Sequence, residues 1–194
     1  MGYGLMLYGI DSSALRAALS SPTDALRDAV LPNAIAYPMD PDNLVETVGK
    51  ALERIARALH PTVISPAHVQ WLNDDEAVAF VVTVKTRGKF LGSLEHASRA
   101  GEMFRNDFLN GLMSACWGVP NMADIWIARP FYGVLHHGYP SWGGASKAEL
   151  QAWLSTAKPP PANTDKDLLD WHGVLTNAAQ AAVADGLDIV STYH

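Results

Sequence analysis

The chain has a single cysteine, Cys116, among its 194 residues, so an intramolecular disulfide is excluded. Proteins without disulfides are typical of reducing compartments, and we therefore expect a cytoplasmic location. No apolar run approaches the roughly 20 residues that a transmembrane helix needs. The apolar start of the chain follows no basic segment of the kind found in signal peptides, so neither a membrane span nor a signal peptide is expected.

Basic residues are also scarce. The chain has 14 Lys and Arg and 20 Asp and Glu, which gives a formal net charge of −6 at pH 7. Nucleic acids and anionic membranes both attract basic surfaces, so neither is expected as the main partner. A small molecule or a basic protein fits this charge better, and a homodimer is compatible with the sequence.

Several catalytic signatures are missing. The chain contains no G-x-G-x-x-G motif, no G-x-x-x-x-G-K-[ST] phosphate loop and no G-x-S-x-G nucleophile elbow. Seven His would allow a metal site, but paired ligands at short spacing such as H-E-x-x-H are absent. Cys116 ends an apolar helical stripe, where a buried and inert thiol is expected. Nucleotide-dependent chemistry, serine hydrolysis and metal catalysis are disfavoured, and no cofactor is expected.

The composition is that of an ordinary globular domain, with 48% hydrophobic and 18% charged residues, and the length predicts one domain over residues 1–194. Short apolar runs at residues 3–10 and 187–193 predict strands, the first with apolar side chains on both faces. Pairing of these terminal strands predicts a mostly helical α+β domain with a small sheet that includes both. Between them we predict helices over residues 41–59, 74–86 and 93–116, a strand over 124–128, and helices beginning at Ser146 and near Thr164.

Both ends of the chain resemble a known group of proteins. The matching sequences are Met-Gly-Tyr-Gly-Leu-Met-Leu-Tyr at residues 1–8, Glu-Met-Phe at 102–104 with Phe108, and Gly-Leu-Asp-Ile-Val-Ser-Thr-Tyr-His at 186–194. They are similar to the opening, middle helix and ending of an uncharacterised bacterial family, common in actinomycetes, whose domain has no known function. The resemblance implies a cytoplasmic protein with a small α+β fold and carries over no catalytic residue. It weakens over residues 120–160.

The segment richest in chemically versatile groups, residues 126–144, lies where this resemblance is weakest. It gathers two Trp, two Tyr, a Phe, two adjacent His and an Arg between prolines and glycines. Because imidazole acts as an acid or a base near neutral pH, His136 and His137 are the candidate catalytic residues, with Tyr132 and Tyr139 assisting. Adjacent residues of an extended segment point to opposite sides, so one His should face a pocket. The alternative is a polar surface loop pinned by its aromatic residues.

Candidate substrate-binding residues come from the same segment and from the predicted helix over residues 93–116. Arg129 has the fork of donors that binds a carboxylate or phosphate, and Trp126 and Trp142 could clamp a flat ligand. The predicted helix would form the other wall of the pocket with His96, Arg99 and Met103. Its charged residues also fit a solvent-exposed face laced with ion pairs, which is the alternative interpretation.

Two functions fit these features. The first is a cofactor-independent enzyme of bacterial specialised metabolism that uses acid–base catalysis for isomerisation, cyclisation, elimination or addition of water. The second is a non-enzymatic binding protein, of the immunity or regulatory type, whose acidic charge attracts a basic partner and whose aromatic segment is a binding hot spot. A concave pocket lined by the His pair would favour the enzyme, and exposed aromatics on a flat face the binder. The sequence leaves open whether the protein is an enzyme at all.

Overall fold

The computed structural model describes residues 2–37, 39, 41–60, 69–97, 100–136 and 138–194. In chain order its elements are β1 (Gly2–Ile10), α1 (Ser12–Ser20), α2 (Asp24–Ala34), a 3-10 turn (Pro41–Asn43), α3 (Leu44–Ala58), β2 (Gln70–Leu72), α4 (Asp74–Arg87), β3 (Lys89–Ala97), a π-helix (Met103–Met113), α5 (Ser114–Trp117), α6 (Met122–Ile127), β4 (Val134–His136), β5 (Ser141–Ala145), α7 (Lys147–Thr156), α8 (Lys166–Asp185) and β6 (Asp188–Tyr193). Within these parts of the chain, no helix has the length and apolar character needed to cross a membrane.

A four-stranded antiparallel sheet forms the centre of the protein, with the strand order β3-β1-β6-β5. The two terminal strands are direct neighbours, and Leu5 of β1 lies opposite Tyr193 of β6. This confirms the predicted α+β fold with both terminal strands in one sheet. A smaller parallel pair joins β2 to β4 beside it.

Helices cover both faces of the central strand β1. Leu5 and Leu7 belong to a core cluster built with the π-helix and α8, whereas Tyr8 and Ile10 belong to a second cluster with α1 to α4. Successive strand residues point to opposite faces, so this alternation places apolar side chains in both cores. The apolar character of both faces predicted from the sequence is explained by the two helical layers.

Several helix boundaries follow directly from local sequence chemistry. The Ser146 hydroxyl accepts a hydrogen bond from the Glu149 amide, and the Glu149 carboxylate accepts one from the Ser146 amide, which is the predicted capping box of α7. Asn73 and Glu76 form the same motif at the start of α4. Gly186 ends α8 in the left-handed conformation at φ 75°.

The predicted helix over residues 93–116 is wrong in its first part. Residues 93–97 belong to β3, where Leu94 and His96 are buried and Glu95 between them is exposed. This period of two fits a strand, and pairing with β1 overrides the helical spacing that the wider window suggests. The later residues are helical, and Met103–Met113 adopts π geometry.

The strand predicted over residues 124–128 is also wrong, because residues 124–127 lie in α6 and Ala128 follows its end. Met122, Ala123 and Trp126 are buried on one side of the helix at i, i+1 and i+4, a helical spacing. Asn121 precedes them in the left-handed conformation at φ 57°. The helix packs on β5, so the chain enters the aromatic segment from a helix.

Candidate functional site

A cavity of about 300 Å³ opens where the π-helix, α6, β4 and the end of β6 meet. We call it the Tyr139 cavity. Its volume lies at the lower end of the range found for small-molecule sites. Its polar lining residues are Arg105, His136, Tyr139, Ser141 and Tyr193, and its apolar ones include Trp71, Ile127 and Leu135. Two residues of the predicted site, His136 and Tyr139, are therefore brought together at one cavity, which a residue of the π-helix also lines.

The His136 ring is buried, and both of its nitrogens have partners within the protein. Nε2 lies 2.9 Å from Oδ1 of Asp74, at the start of α4. Nδ1 lies 3.1 Å from the Pro140 carbonyl oxygen and 3.2 Å from the Gly138 amide nitrogen. A neutral ring donates to Asp74 and accepts from Gly138, whereas a charged ring donates to Asp74 and Pro140. His136 therefore shapes the wall of the cavity and holds the turn after β4, with no ring nitrogen free for a ligand.

Tyr139 is the most accessible acid–base group of the Tyr139 cavity. Its side chain is 56% exposed, and its ring packs 5.2 Å from that of Tyr3 and 5.5 Å from that of Tyr193. Tyr193 behind it is 3% exposed. Burial, followed by the charge and the hydrogen bond of Tyr139, raises the pKa of Tyr193 to about 12, although the positive charge of Arg105 acts in the opposite direction. Tyr193 is therefore a neutral phenol at physiological pH.

Arg105 supplies a positive charge to the cavity. It lies on the π-helix and is exposed, and none of the carboxylates in the described part of the chain lies within ion-pairing distance of it. Sequence reasoning missed this residue because the spacing of a π-helix, with its i to i+5 bonds, cannot be recognised in a pattern dominated by the α-helical period. Short π-helical segments frequently occur at functional sites.

The Arg129 side chain is engaged within the protein. Its guanidinium donates two hydrogen bonds to the Glu149 carboxylate, at 2.7 and 3.0 Å, and one to the Gly144 carbonyl at 3.2 Å. Burial would raise the pKa of Glu149, but hydrogen bonds from Arg129 and Ser146 lower it below its usual value. The fork that would have held an anionic ligand is thus occupied by a carboxylate of the protein.

Tyr132 is also separated from His136. It lines a second cavity, of about 210 Å³, together with Arg129. The Arg16 guanidinium lies 4.6 Å from the centre of its ring, an arrangement that fits a cation–π contact. The predicted pairing of Tyr132 with His136 is therefore not found, because the two line different cavities.

The two tryptophans predicted to clamp a ligand are core residues. Trp126 and Trp142 are both 0% exposed. The Trp142 indole N–H donates to the Val134 carbonyl at 3.2 Å, and its ring packs 4.4 Å from that of Phe80. Neither ring faces a cavity wide enough for a ligand, so their large apolar surfaces stabilise the fold.

His96 and Met103 line a further cavity, of about 440 Å³, which we call the acidic cavity because Glu95, Asp167 and Asp170 also line it. The structure therefore separates these two predicted substrate-binding residues from His136. His96 is nevertheless connected to the Tyr139 cavity, because its Nε2 lies 3.0 Å from the Tyr193 hydroxyl.

Two predicted site residues, His137 and Arg99, lie outside the described residues. Within the described residues, no group of three or more His, Cys, Asp or Glu side chains could hold a metal ion. Cys116 is 2% exposed, and burial raises the pKa of its thiol.

Comparison with protein families, curated proteins and solved structures finds no match to this chain. The Tyr139 cavity combines a cation, an accessible phenol backed by a buried one, and an apolar wall. This arrangement suits an anionic small molecule with an apolar body, held where protons can be exchanged at a tyrosine hydroxyl.

Proposed function

We propose that the protein is a cofactor-independent acid–base enzyme that acts on a small anionic molecule bound in the Tyr139 cavity. The observation that carries the proposal is the position of Arg105 and Tyr139 on the same cavity. Arg105 has no carboxylate partner within the described residues, and the Tyr139 side chain is half-exposed. One residue would anchor the ligand, and the other would exchange a proton with it.

Arg105 would bind the anionic group of the ligand. The planar guanidinium matches the geometry of a carboxylate or phosphate and forms hydrogen bonds strengthened by charge. Apolar side chains that line the same cavity, Ile127 and Leu135 among them, would receive the body of the ligand. Because these walls exclude part of the solvent, the attraction between ligand and Arg105 is stronger than it would be in water.

Tyr139 would act as the general acid or base. A tyrosine hydroxyl that reaches a ligand can transfer a proton, and such transfer typically contributes about 10²–10⁴-fold to a rate. The reactions that need only this chemistry are isomerisation, cyclisation, elimination and addition of water. His136 would contribute by holding the turn that carries Tyr139, since its Nδ1 bonds either the Gly138 amide or the Pro140 carbonyl, depending on the charge of the ring.

A binding protein is the second candidate, and two exposed aromatic residues favour it. Trp71 and Tyr139, at the mouth of the cavity, are 50% and 56% exposed, and aromatic residues of this kind dominate protein-binding hot spots. The net charge of −6 would attract a basic partner. The cation of Arg105 would repel such a partner at this place, which is why we prefer a small anion as the ligand.

A matched ligand panel tests the proposal. Thermal unfolding is measured with small carboxylates that carry an aromatic or branched apolar group, each paired with its neutral amide. We expect carboxylates to raise the melting temperature and their amides to have little effect. Arg105→Met should abolish the difference, whereas the control Arg87→Met, at another exposed arginine, should preserve it. Equal stabilisation by amides, or an unchanged response in Arg105→Met, would contradict the anchoring role.

Proton exchange tests the catalytic part. Bound ligands are incubated in D₂O, and the exchange of carbon-bound hydrogens next to a carbonyl group is followed by NMR. Tyr139→Phe keeps the ring and removes only the hydroxyl, so binding should persist while exchange falls to the background rate. If the panel gives no exchange and a basic protein binds instead, the second candidate function is favoured.

A further inference from the structure

A half-buried lysine that the proposed function does not use packs against a tyrosine. Lys85 lies near the end of α4, and its Nζ donates a hydrogen bond to the hydroxyl of Tyr37, which follows α2. The same nitrogen lies 5.0 Å from the centre of the Tyr37 ring. No carboxylate of the described residues lies within ion-pairing distance of it. Burial without a carboxylate disfavours the ammonium form of such an amine.

Further polar groups lie on the adjoining face of the central sheet. Thr192 of β6 is paired with Met6 of β1, and His194 follows two residues later on the same face. The rings of His194 and Tyr37 meet edge to face, with centroids 6.1 Å apart. Oγ1 of Thr192 and Nδ1 of His194 are buried and have no hydrogen-bond partner among the described residues. Because buried polar atoms are normally hydrogen-bonded, this pair indicates a place for a polar group from outside the chain.

An open cavity of about 620 Å³ gives access to this cluster through His194. Gly4, Met6 and Glu95 are among its other lining residues, and we call it the His194 cavity. The Met6 side chain offers apolar surface, whereas the Glu95 carboxylate repels anions. An uncharged molecule therefore fits this cavity better than an anionic one. The His194 cavity shares no lining residue with the Tyr139 cavity.

Burial sets the protonation of the three titratable groups of the cluster. It lowers the pKa of Lys85 below its usual value, so more of this amine is neutral than is the case for an exposed lysine. Burial, and then the charge of Tyr8, raises the pKa of Tyr37 to about 12, which keeps it a phenol at neutral pH. His194, with its pKa lowered to about 4 by burial and then by Lys85, is a neutral imidazole. An amine that readily loses its proton thus lies beside a phenol that holds one.

We infer that Lys85 is a nucleophile that forms an imine with a small uncharged aldehyde from the His194 cavity, with Tyr37 transferring the protons. Lysine amines held away from water are the groups that carry this chemistry in proteins. The hydrogen bond to Tyr37 uses an N–H of Lys85, so the lone pair of the neutral amine remains free to attack. The unpartnered atoms of Thr192 and His194 would bond the aldehyde oxygen or the water that it releases.

The reaction is an addition followed by loss of water. The lone pair of the Lys85 nitrogen forms a bond to the carbonyl carbon, and the π electron pair moves to the oxygen. Tyr37 gives its proton to this oxygen and takes one from the nitrogen, which leaves a neutral carbinolamine. A second proton from Tyr37 lets the C–O bond break and water leave, and the iminium returns its N–H proton to the Tyr37 oxygen. One amine and one aldehyde give one imine and one water, with nothing oxidised or reduced.

Reductive trapping with benzaldehyde tests the inference on the full chain. Sodium cyanoborohydride fixes the imine as a secondary amine, and peptide mass spectrometry gives the rate at each lysine. We expect Lys85 to be labelled about tenfold faster than the exposed Lys158 at neutral pH, since a pKa difference of one unit changes the neutral fraction about tenfold. In urea the two rates should become equal. A folded protein in which Lys85 reacts no faster than Lys158 would overturn the inference.

The anionic aldehyde glyoxylate tests the charge of the substrate. It should show no preference for Lys85 over Lys158, because Glu95 lies at the cavity. A preference as large as that of benzaldehyde would overturn the assignment of an uncharged substrate.

Variants separate Tyr37 from its surroundings and this site from the Tyr139 cavity. Tyr37→Phe keeps the ring and removes the hydroxyl, so labelling of Lys85 should slow by about 10²-fold. Tyr3→Phe, at another tyrosine of the His194 cavity, should react at the wild-type rate. A wild-type rate in Tyr37→Phe would overturn its role in proton transfer. Arg105→Met should leave the labelling of Lys85 unchanged, because the inference is independent of the proposed function, and a loss of labelling in this variant would contradict that independence.

Discussion

His136 and Asp74 are joined by a hydrogen bond of 2.9 Å that ties the end of β4 to the first turn of α4. The two ends of this bond differ in environment, because the His136 side chain is 6% exposed and that of Asp74 is 94% exposed. An exposed partner contributes little to stability, whereas a buried polar ring must keep its hydrogen bonds. This asymmetry leads to the first prediction.

Removal of the Asp74 charge should have a small effect and removal of the His136 ring a larger one. We expect Asp74→Asn to lower the free energy of unfolding by less than about 1 kcal/mol. His136→Ala should lower it by about 1–3 kcal/mol, since it removes a buried ring together with its hydrogen bonds to Asp74 and to the turn after β4. Urea denaturation measures both values. Asp75→Asn, in the same helical turn, is the matched control, and an effect equal to that of Asp74→Asn would show that the bond contributes nothing.

Gly143 should tolerate no larger residue, because β5 packs directly on the backbone of α6. A Cβ atom there would lie 2.2 Å from the Ile125 carbonyl oxygen and 2.5 Å from the Trp126 carbonyl carbon. We expect Gly143→Ala to destabilise the protein by about 1–3 kcal/mol or to prevent folding. Gly173→Ala, within α8, where a Cβ atom would meet nothing within 4 Å, should instead stabilise by about 0.5–1 kcal/mol. Thermal unfolding of the two variants checks this. If both substitutions shifted the melting temperature in the same direction, the result would contradict the packing.

The free energy of unfolding should decrease as the pH falls below neutral, and protonation of His194 should account for part of this decrease. Burial, and then the positive charge of Lys85, lowers its pKa from 6.5 to about 4. The unfolded chain therefore binds a proton between these two values that the folded protein does not, so this contribution is complete above pH 6.5 and is lost as the pH falls towards 4. Because His194 is only partly buried, we expect a loss of about 1–2 kcal/mol.

The measurement for His194 is urea denaturation across this pH range, with wild type and His194→Gln compared at each pH. The free energy of unfolding of the variant should change less with pH than that of wild type, because the contribution of His194 is missing. An identical pH dependence of the two proteins would contradict the lowered pKa. Lys85→Met tests the cause, since it should raise the pKa of His194 in an NMR titration.

Cys116 should be chemically silent in the folded protein. It is 2% exposed, and burial raises the pKa of its thiol, so both access and thiolate formation are limited. We expect no reaction with a disulfide reagent under native conditions and one equivalent of reaction after unfolding. Rapid modification of the native protein would show that the core around α5 opens.

The parts of the fold that depend on local chemistry could be predicted from the sequence. The capping box of Ser146 and Glu149 and the glycine end of α8 need only neighbouring residues, and both are found as predicted. The apolar pattern of the terminal strands predicts their pairing, because the backbone groups of each strand need a neighbouring strand for their hydrogen bonds. The sequence pattern predicts a helix at His96, because the strand that contains this residue depends on pairing with β1, which lies far away in the chain.

The site was harder to predict than the fold because its partners are distant in sequence. Glu149 was correctly interpreted as a capping residue, but nothing local shows that the same carboxylate also binds Arg129, 20 residues away. No sequence feature near Arg105 marks it as a site residue. Only the folding of the π-helix and of the turn after β4 brings Arg105 and Tyr139 to the same cavity. Composition singles out residues 126–144 as a candidate segment, and tertiary contacts decide which of its residues face a cavity.

The most direct test of the central claim is a crystal structure with the carboxylate that raises the melting temperature most. We predict its carboxylate within hydrogen-bonding distance of the Arg105 guanidinium, and a second polar atom or an acidic C–H group at the Tyr139 hydroxyl. A ligand seated instead in the cavity of Arg129 and Tyr132 would contradict the assignment of Arg105 as the anchor.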